Sequence, residues 1–325
     1  MLGETLWGPR SLIKLSHLWL PLAFLLSSRP SDRTGPAWAS FFLVCFVLVC
    51  WIQASILAND LADRRDDRAA DKSRWITRLR PGCGAAVVAV LAGTGMALGC
   101  LADKPVEASV AYAIAMALTL LYSIPPVRFK ARGWLGLLTY SAACGIAFVA
   151  LPCAWLGSQP VAVAALAPAV VLDKWVNLHF HQIVDYQSDL KHGVMTYVVA
   201  SGIARARRTL KWAAGLASLS LVGALLFVVL SLRTGLGAFS AAALVVLLAV
   251  AIYCTVRLRR LSRASVLLQE LPGSYLGLTY VVLRLLPLYL MARLTLREPS
   301  MGLAFGVAAM LISWESWRAF RYRYR

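Results

Sequence analysis

Apolar stretches of membrane-spanning length recur along the whole chain, separated by short polar segments. They lie near 13–28, 37–58, 84–102, 107–124, 135–157, 160–184, 209–232, 236–257, 275–293 and 301–317. A hydrocarbon layer about 30 Å thick needs roughly 20 such residues per helix. Backbone N–H and C=O groups find no water in lipid, so long runs of this kind must satisfy themselves as helices. The pattern predicts an all-α, polytopic membrane bundle. The first and the last two stretches are the weakest, and Arg284 and Pro287 interrupt 275–293. No Gly/Ser-rich linker, low-complexity tract or internal repeat divides residues 1–325, so a single membrane domain is expected.

Composition agrees: 60% of the residues are hydrophobic and 15% charged, too apolar for an ordinary soluble domain. The net charge of +18 would suit a nucleic-acid partner, but its distribution argues otherwise. With the N-terminus in the cytoplasm, alternate loops collect nearly all Lys and Arg: Arg10 and Lys14; Arg64 to Arg80; Arg128, Lys130 and Arg132; Lys191 with Arg205 to Lys211; Arg257 to Arg263; and Arg318 to Arg325. That asymmetry is the positive-inside signal of an integral, multi-pass protein, with a secondary attraction to anionic membrane lipid. Nucleic acid is excluded as a partner, and no protein partner is indicated. The seven cysteines form no CxxC pair and read as small core residues. The first apolar stretch ends without a small-residue cleavage site, which predicts a retained helix and not a signal peptide.

The 15 acidic residues are informative because six of them fall in two short motifs. Asn59, Asp60, Asp63, Asp66 and Asp67 follow the span ending near 58; Asp185 and Asp189 follow the span beginning near 160. By the loop count both motifs are cytoplasmic. Asn59, Asp63 and Asp67 are four residues apart and share a helix face, with Asp60 beside them, and Asp185 and Asp189 repeat the step. Carboxylates at this spacing repel one another unless a cation intervenes. Mg²⁺ prefers hard oxygen ligands and completes its shell with substrate phosphate, so two facing clusters suit a diphosphate clamp. The alternative is a pair of solvated faces neutralised by Arg64, Arg65, Arg68 and Lys191; equivalent placement at two helix ends favours the metal.

Asp173, Asn177, His181, Asp185 and Asp189 continue at steps of four, a winding polar stripe from within the membrane to its edge. Lys174, His179 and Gln182 lie near it, His179 on a packing face. Ionisable groups at this depth normally face a bundle interior or a watery cavity. Asp173 and His181 are therefore candidate catalytic residues on the acceptor side, although Asp173 with Lys174 would also serve as an ion pair to a neighbouring helix. Between the Asp motifs, Pro125 and Pro126 end a helix and stiffen a loop holding Arg128 and Lys130 over the same mouth. Two cations there suit a diphosphate leaving group.

These motifs resemble those of the UbiA superfamily of intramembrane prenyltransferases. Asn59, Asp60, Asp63 and Asp67 fit its NDxxDxxxD motif, Asp185 and Asp189 its DxxxD motif with Gly193 and Thr196 following, and YSIPPVRFK from Tyr122 to Lys130 its connecting loop. The likeness spans about residues 40 to 257. It implies a bundle of typically nine helices, against the ten candidates counted above, around a central cavity. It also implies Mg²⁺ held by both Asp motifs, an isoprenyl diphosphate donor touched by Tyr122, Arg128, Lys130 and Lys191, and a small lipophilic or aromatic acceptor that attacks the allylic carbocation. A multi-pass location in a bacterial inner membrane, with the site facing the cytoplasm, is the matching expectation. A membrane terpene cyclase of the same superfamily, which needs no acceptor, is the closest alternative; a transporter is a third.

Overall fold

The computed structural model describes residues 14–28, 36–64, 75–157, 160–191, 193–231 and 271–323, with the single positions 249 and 253. Proline opens three of its long helices, at Pro81, Pro105 and Pro160, where the missing N–H has no intrahelical partner in any case. In chain order the helices are α1 (Trp19–Ser27), α2 (Ala37–Ala62), α3 (Trp75–Arg78), α4 (Pro81–Leu101), α5 (Pro105–Ser123), α6 (Trp134–Trp155), α7 (Pro160–Val184), α8 (Tyr186–Lys191), α9 (Tyr197–Ser201), α10 (Ile203–Ser231), α11 (Gly273–Arg297) and α12 (Gly302–Arg323). A single 3-10 turn, Lys14–His17, precedes α1.

The described residues are almost wholly helical, and seven helices (α2, α4, α5, α6, α7, α10 and α11) are long and apolar enough to cross a membrane. The expected span at 13–28 is instead the 3-10 turn followed by the nine-residue α1, too short to cross but buried along nearly its whole length. The expected span at 236–257 lies outside the described residues. The doubtful 275–293 stretch is a continuous helix because both of its interruptions are accommodated. Arg284 donates to Glu315 of α12 at 3.0 Å, with both side chains largely buried. Pro287 follows a widened π-turn, Val281–Leu285. α6 uses the same device, with a π-turn at Ile146–Ala150 ahead of Pro152. A proline ring meets the carbonyl four residues back, and a π-turn at that position removes the clash.

The helices close a ring: α2 packs on α5, α5 on α6, α6 on α7, α7 on α10, α10 on α11, α11 on α1, and α1 back on α2. α4 covers α2 from outside. Close approach of α6 and α7 depends on Gly145, where a Cβ would stand 2.4 Å from Val171 Cγ2. The ring interior is lined by small and aromatic residues, and that packing positions the site.

Candidate active site

α2 carries one continuous line of side chains from the interior to its end: Trp51, Ser55, Asn59 and Asp63, each four residues from the last. At the outer end the line meets the loop after α5. Arg128 donates to Asp63 Oδ1 at 3.0 Å, Lys130 Nζ donates to Asn59 Oδ1 at 3.0 Å and also to both Asp63 oxygens, and Ser123 Oγ donates to Asn59 Oδ1 at 3.3 Å. Four residues expected at the site, Asn59, Asp63, Arg128 and Lys130, are thus brought into direct contact. Arg128 has φ of 41°, a left-handed backbone uncommon for a residue with a side chain. Strain of this type persists where the surroundings hold a residue for a purpose. The loop seats on α6 at Gly136, whose absent Cβ would lie 2.9 Å from the Phe129 carbonyl oxygen.

The second motif follows α7 with little break: the Asp185 amide donates to the His181 carbonyl at 2.9 Å and the Asp189 amide to the Asp185 carbonyl at 2.8 Å. Thr196 Oγ1 donates to Asp189 Oδ2 at 3.3 Å. Gly133, just past the loop, forms a backbone bridge to Thr196, its amide donating to the Met195 carbonyl at 3.3 Å. One backbone connection therefore ties the cationic loop to the segment behind Asp189. Tyr122 lies between the motifs, within electrostatic reach of both Asp63 and Asp189. Asp60 is half-buried at the end of α2, Asp185 and Lys191 are exposed, and Asp67 lies outside the described residues.

Among the described residues no three His, Cys, Asp or Glu side chains converge as a ready metal cage. The donor set nonetheless fits Mg²⁺. Asn59 and Asp63 present hard oxygens to a shared cation, the Lys130 ammonium, and a divalent ion that takes most of its ligands from phosphate needs few from protein.

Directly inside this cluster is a chamber lined by Trp51, Ile52, Ser55, Thr119, Tyr122, Tyr140, Ala143, Cys144, Phe148 and Lys174. Tyr122 and Tyr140 pack with ring centroids 5.7 Å apart, and Trp51 meets Phe148 edge-on at 5.7 Å. Asp173 is absent from this lining. It is fully buried, and its carboxylate accepts from His17, from Tyr275, from Asn177 Nδ2 at 2.7 Å and from Thr279 Oγ1 at 3.3 Å. These contacts match the alternative reading of Asp173, a tie between α7, the turn before α1, and α11. The reason is angular. Steps of four on a helix drift about 40° each, so Asp173 and Asp189 stand roughly 160° apart, whereas Lys174 and Asp185, eleven residues apart, differ by about 20°.

His181 is exposed one turn before Asp185, its ring near that of Phe180. His179 is buried edge-on against Tyr197 at 5.1 Å, the packing role expected of it. Sequence reasoning missed His17, which carries no local motif. It also missed Ser55, Thr119 and Tyr140, of which Ser55 was findable as the residue one turn inside Asn59.

The sequence profile of the UbiA prenyltransferase family matches residues 18–270. No curated protein matches the chain by sequence. Among solved structures, a UbiA homologue from Archaeoglobus fulgidus bound to DMAPP and Mg²⁺ is 19% identical with a TM-score of 0.56, over 67% of this chain and 76% of that one. The same homologue bound to Cd²⁺ aligns over 94% of this chain and 96% of its own, at 16% identity and a TM-score of 0.54. A digeranylgeranylglyceryl phosphate synthase structure is 17% identical with a TM-score of 0.55, covering 84% of this chain and 98% of its own. At these identities the structural likeness establishes the fold.

Proposed function

Because the chain belongs to the UbiA prenyltransferase family, we propose that it moves an isoprenyl group from a prenyl diphosphate to a small aromatic acceptor, releasing pyrophosphate. The observation that carries this reading is the juxtaposition of two parts. An oxygen-rich and cation-rich cluster (Asn59, Asp63, Arg128, Lys130) stands at the mouth of an apolar, aromatic chamber. The cluster suits a diphosphate and the chamber a reactive carbocation that must be kept from water.

Arg128, Lys130 and Lys191 hold the diphosphate oxygens, with Tyr122 beside them at the chamber mouth. Asn59, Asp60, Asp63, Asp67, Asp185 and Asp189 are the residues that would hold Mg²⁺, which when bound neutralises the diphosphate as a leaving group. The C1–O bond breaks with its electron pair going to the diphosphate. An acceptor ring carbon bonds to C1, and the ring proton leaves. His181, one turn from Asp185, is the base we assign to that proton. Asp173 acts at a distance by holding α7 in register. The site opens to the cytoplasm on this reading, since Arg132, Lys191 and, in the first turns of α10, Arg205, Arg207, Arg208 and Lys211 follow the same motifs.

The test is pyrophosphate release by the purified chain supplied with Mg²⁺, a prenyl diphosphate and phenolic acceptors. Asp63→Ala and Asp189→Ala should abolish it; release that persists in either variant refutes the assignment. A second reading, a cyclase quenching the cation with the substrate's own double bonds, draws support from the four aromatic side chains of the chamber, whose faces stabilise cations. A cyclic hydrocarbon or alcohol formed with no acceptor present would establish that reading instead.

A further inference from the structure

α10 carries its charges where a helix disfavours them. Arg205, Arg207 and Arg208 fall in its first two turns with Lys211 just after, and no Asp or Glu occurs anywhere along Ile203–Ser231. Cations at a helix N-terminus face the positive end of its dipole, and like charges three residues apart repel. Arg205, Arg208 and Lys211 are exposed, and their side chains make no hydrogen bond or ion pair among the described residues. An anion at this end would relieve both effects, and α10 itself does not supply one.

The charged face continues as an apolar one. Arg205, Arg208, Trp212, Leu216 and Leu219 lie within about 80° of arc, and Leu230 extends the line to the far end. Trp212 is 74% exposed and Leu219 70%, whereas Ala206, Leu210, Ala214 and Leu221 on the other side are fully buried. From Trp212 to Leu230 is roughly 27 Å along the axis, close to the hydrocarbon thickness of about 30 Å. That match puts the indole at the membrane interface and the two guanidinium groups about 6–10 Å beyond it, at the level of lipid phosphate. Gly215 and Gly223 stand one turn to either side of Leu219, and nothing lies within 4 Å of where their Cβ atoms would be. They leave two notches in which an acyl chain can approach the backbone.

We propose that this stripe is a binding site for an anionic phospholipid of the leaflet that meets the start of α10. The phosphodiester is held between Arg205 and Arg208, whose forked donors match phosphate oxygens. The glycerol region lies on Trp212, and an acyl chain runs past Leu216 and Leu219. Charge complementarity selects the headgroup, since a zwitterionic lipid brings its own cation to a place already crowded with them. The site lies on the outside of the ring and does not depend on the chemistry of the chamber.

The test is lipid retention by the purified full chain. Mixed micelles holding equal amounts of phosphatidylglycerol and phosphatidylcholine with matched chains are equilibrated with the protein, and bound lipid is counted by native mass spectrometry. A basic residue at a charged lipid surface is worth about fivefold in affinity, so the parent should favour phosphatidylglycerol by at least about tenfold. Arg205→Gln with Arg208→Gln should lose most of that preference. Arg80→Gln with Arg297→Gln, which removes the same charge from exposed positions elsewhere, should keep it. Phosphatidylglycerol brominated in its chains should quench the parent's tryptophan fluorescence more than phosphatidylcholine brominated alike, and Trp212→Phe should remove most of that difference. Equal retention of the two lipids by the parent overturns the proposal, as does a preference that survives in the folded Arg205→Gln, Arg208→Gln variant. Displacement of the lipid by soluble glycerol phosphate at matched concentration also overturns it, because the headgroup alone would then be what binds. A dimer that shields Trp212 from both brominated lipids overturns it as well, by making the stripe an interface between two copies.

Discussion

The Asp173 tie can be tested quantitatively with His17→Ala, Asp173→Ala and the double variant. Of the four donors to Asp173, its removal strands three from other parts of the chain, His17 before α1 and Tyr275 and Thr279 on α11, while Asn177 on α7 keeps the Asp173 backbone carbonyl as its acceptor. In a soluble core, breaking a buried, hydrogen-bonded charge costs about 3–5 kcal/mol. In a membrane the unfolded reference finds other partners, and interhelical hydrogen bonds average only about 0.6 kcal/mol. The three that cross between elements then give about 1.8 kcal/mol for Asp173→Ala by the same average. His17→Ala removes one of the four bonds and a ring packed 6.2 Å from Phe148. The two single losses share the His17–Asp173 contact, so the double variant should fall short of their sum by about 0.6–1.7 kcal/mol. The assay is reversible unfolding in mixed micelles, followed by tryptophan fluorescence. Strict additivity would refute the tie, because it would mean that the two side chains contribute independently.

Lys130→Met should weaken prenyl diphosphate binding by at least about tenfold, read by calorimetry, since Lys130 bridges Asn59 and Asp63 where a diphosphate would meet them. Gly145→Leu should lower the unfolding midpoint and cost about 1–3 kcal/mol, because even its Cβ would strike Val171 and separate α6 from α7; an unchanged midpoint would show that the approach is loose. Arg284→Met should destabilise the chain by stranding the Glu315 carboxylate, and Arg284→Met with Glu315→Met should recover much of the loss. Chelation of divalent cations should stop pyrophosphate release, and added Mg²⁺ should restore it.

The architecture was legible because a bilayer leaves the backbone only one solution. Hydropathy alone located the helices of residues 37–62, 105–123 and 160–184 to within a turn or so. It failed at 13–28, where an apolar run is as compatible with a short helix sunk among others as with a full crossing. It undervalued 275–293, because a proline and an arginine count as interruptions until a π-turn and Glu315 are seen to absorb them. At the site, Asn59 and Asp63 were legible from spacing within a single helix, and Arg128 and Lys130 from a stiff loop between the motifs. Spacing alone left Asp173 open between the acceptor side and a tie to a neighbouring helix, because a step of four looks like one face over two residues and becomes a half-turn over five. Which side of α7 meets the chamber is decided by helices far away in sequence, and His17 and Tyr275 carry no mark of it.

The backbone bridge from Gly133 to Thr196 gives the cluster a mechanical property. Gly133 has φ of 59°, an angle at which a side chain would be strained, and it turns the end of the cationic loop onto the strand-like residues behind Asp189. Loop and second motif are thereby yoked. On the proposed function, an anion held by Arg128 or Lys130 meets a loop already joined to the segment behind Asp189. The entropic cost of assembling them is met during folding, so it does not recur with every substrate.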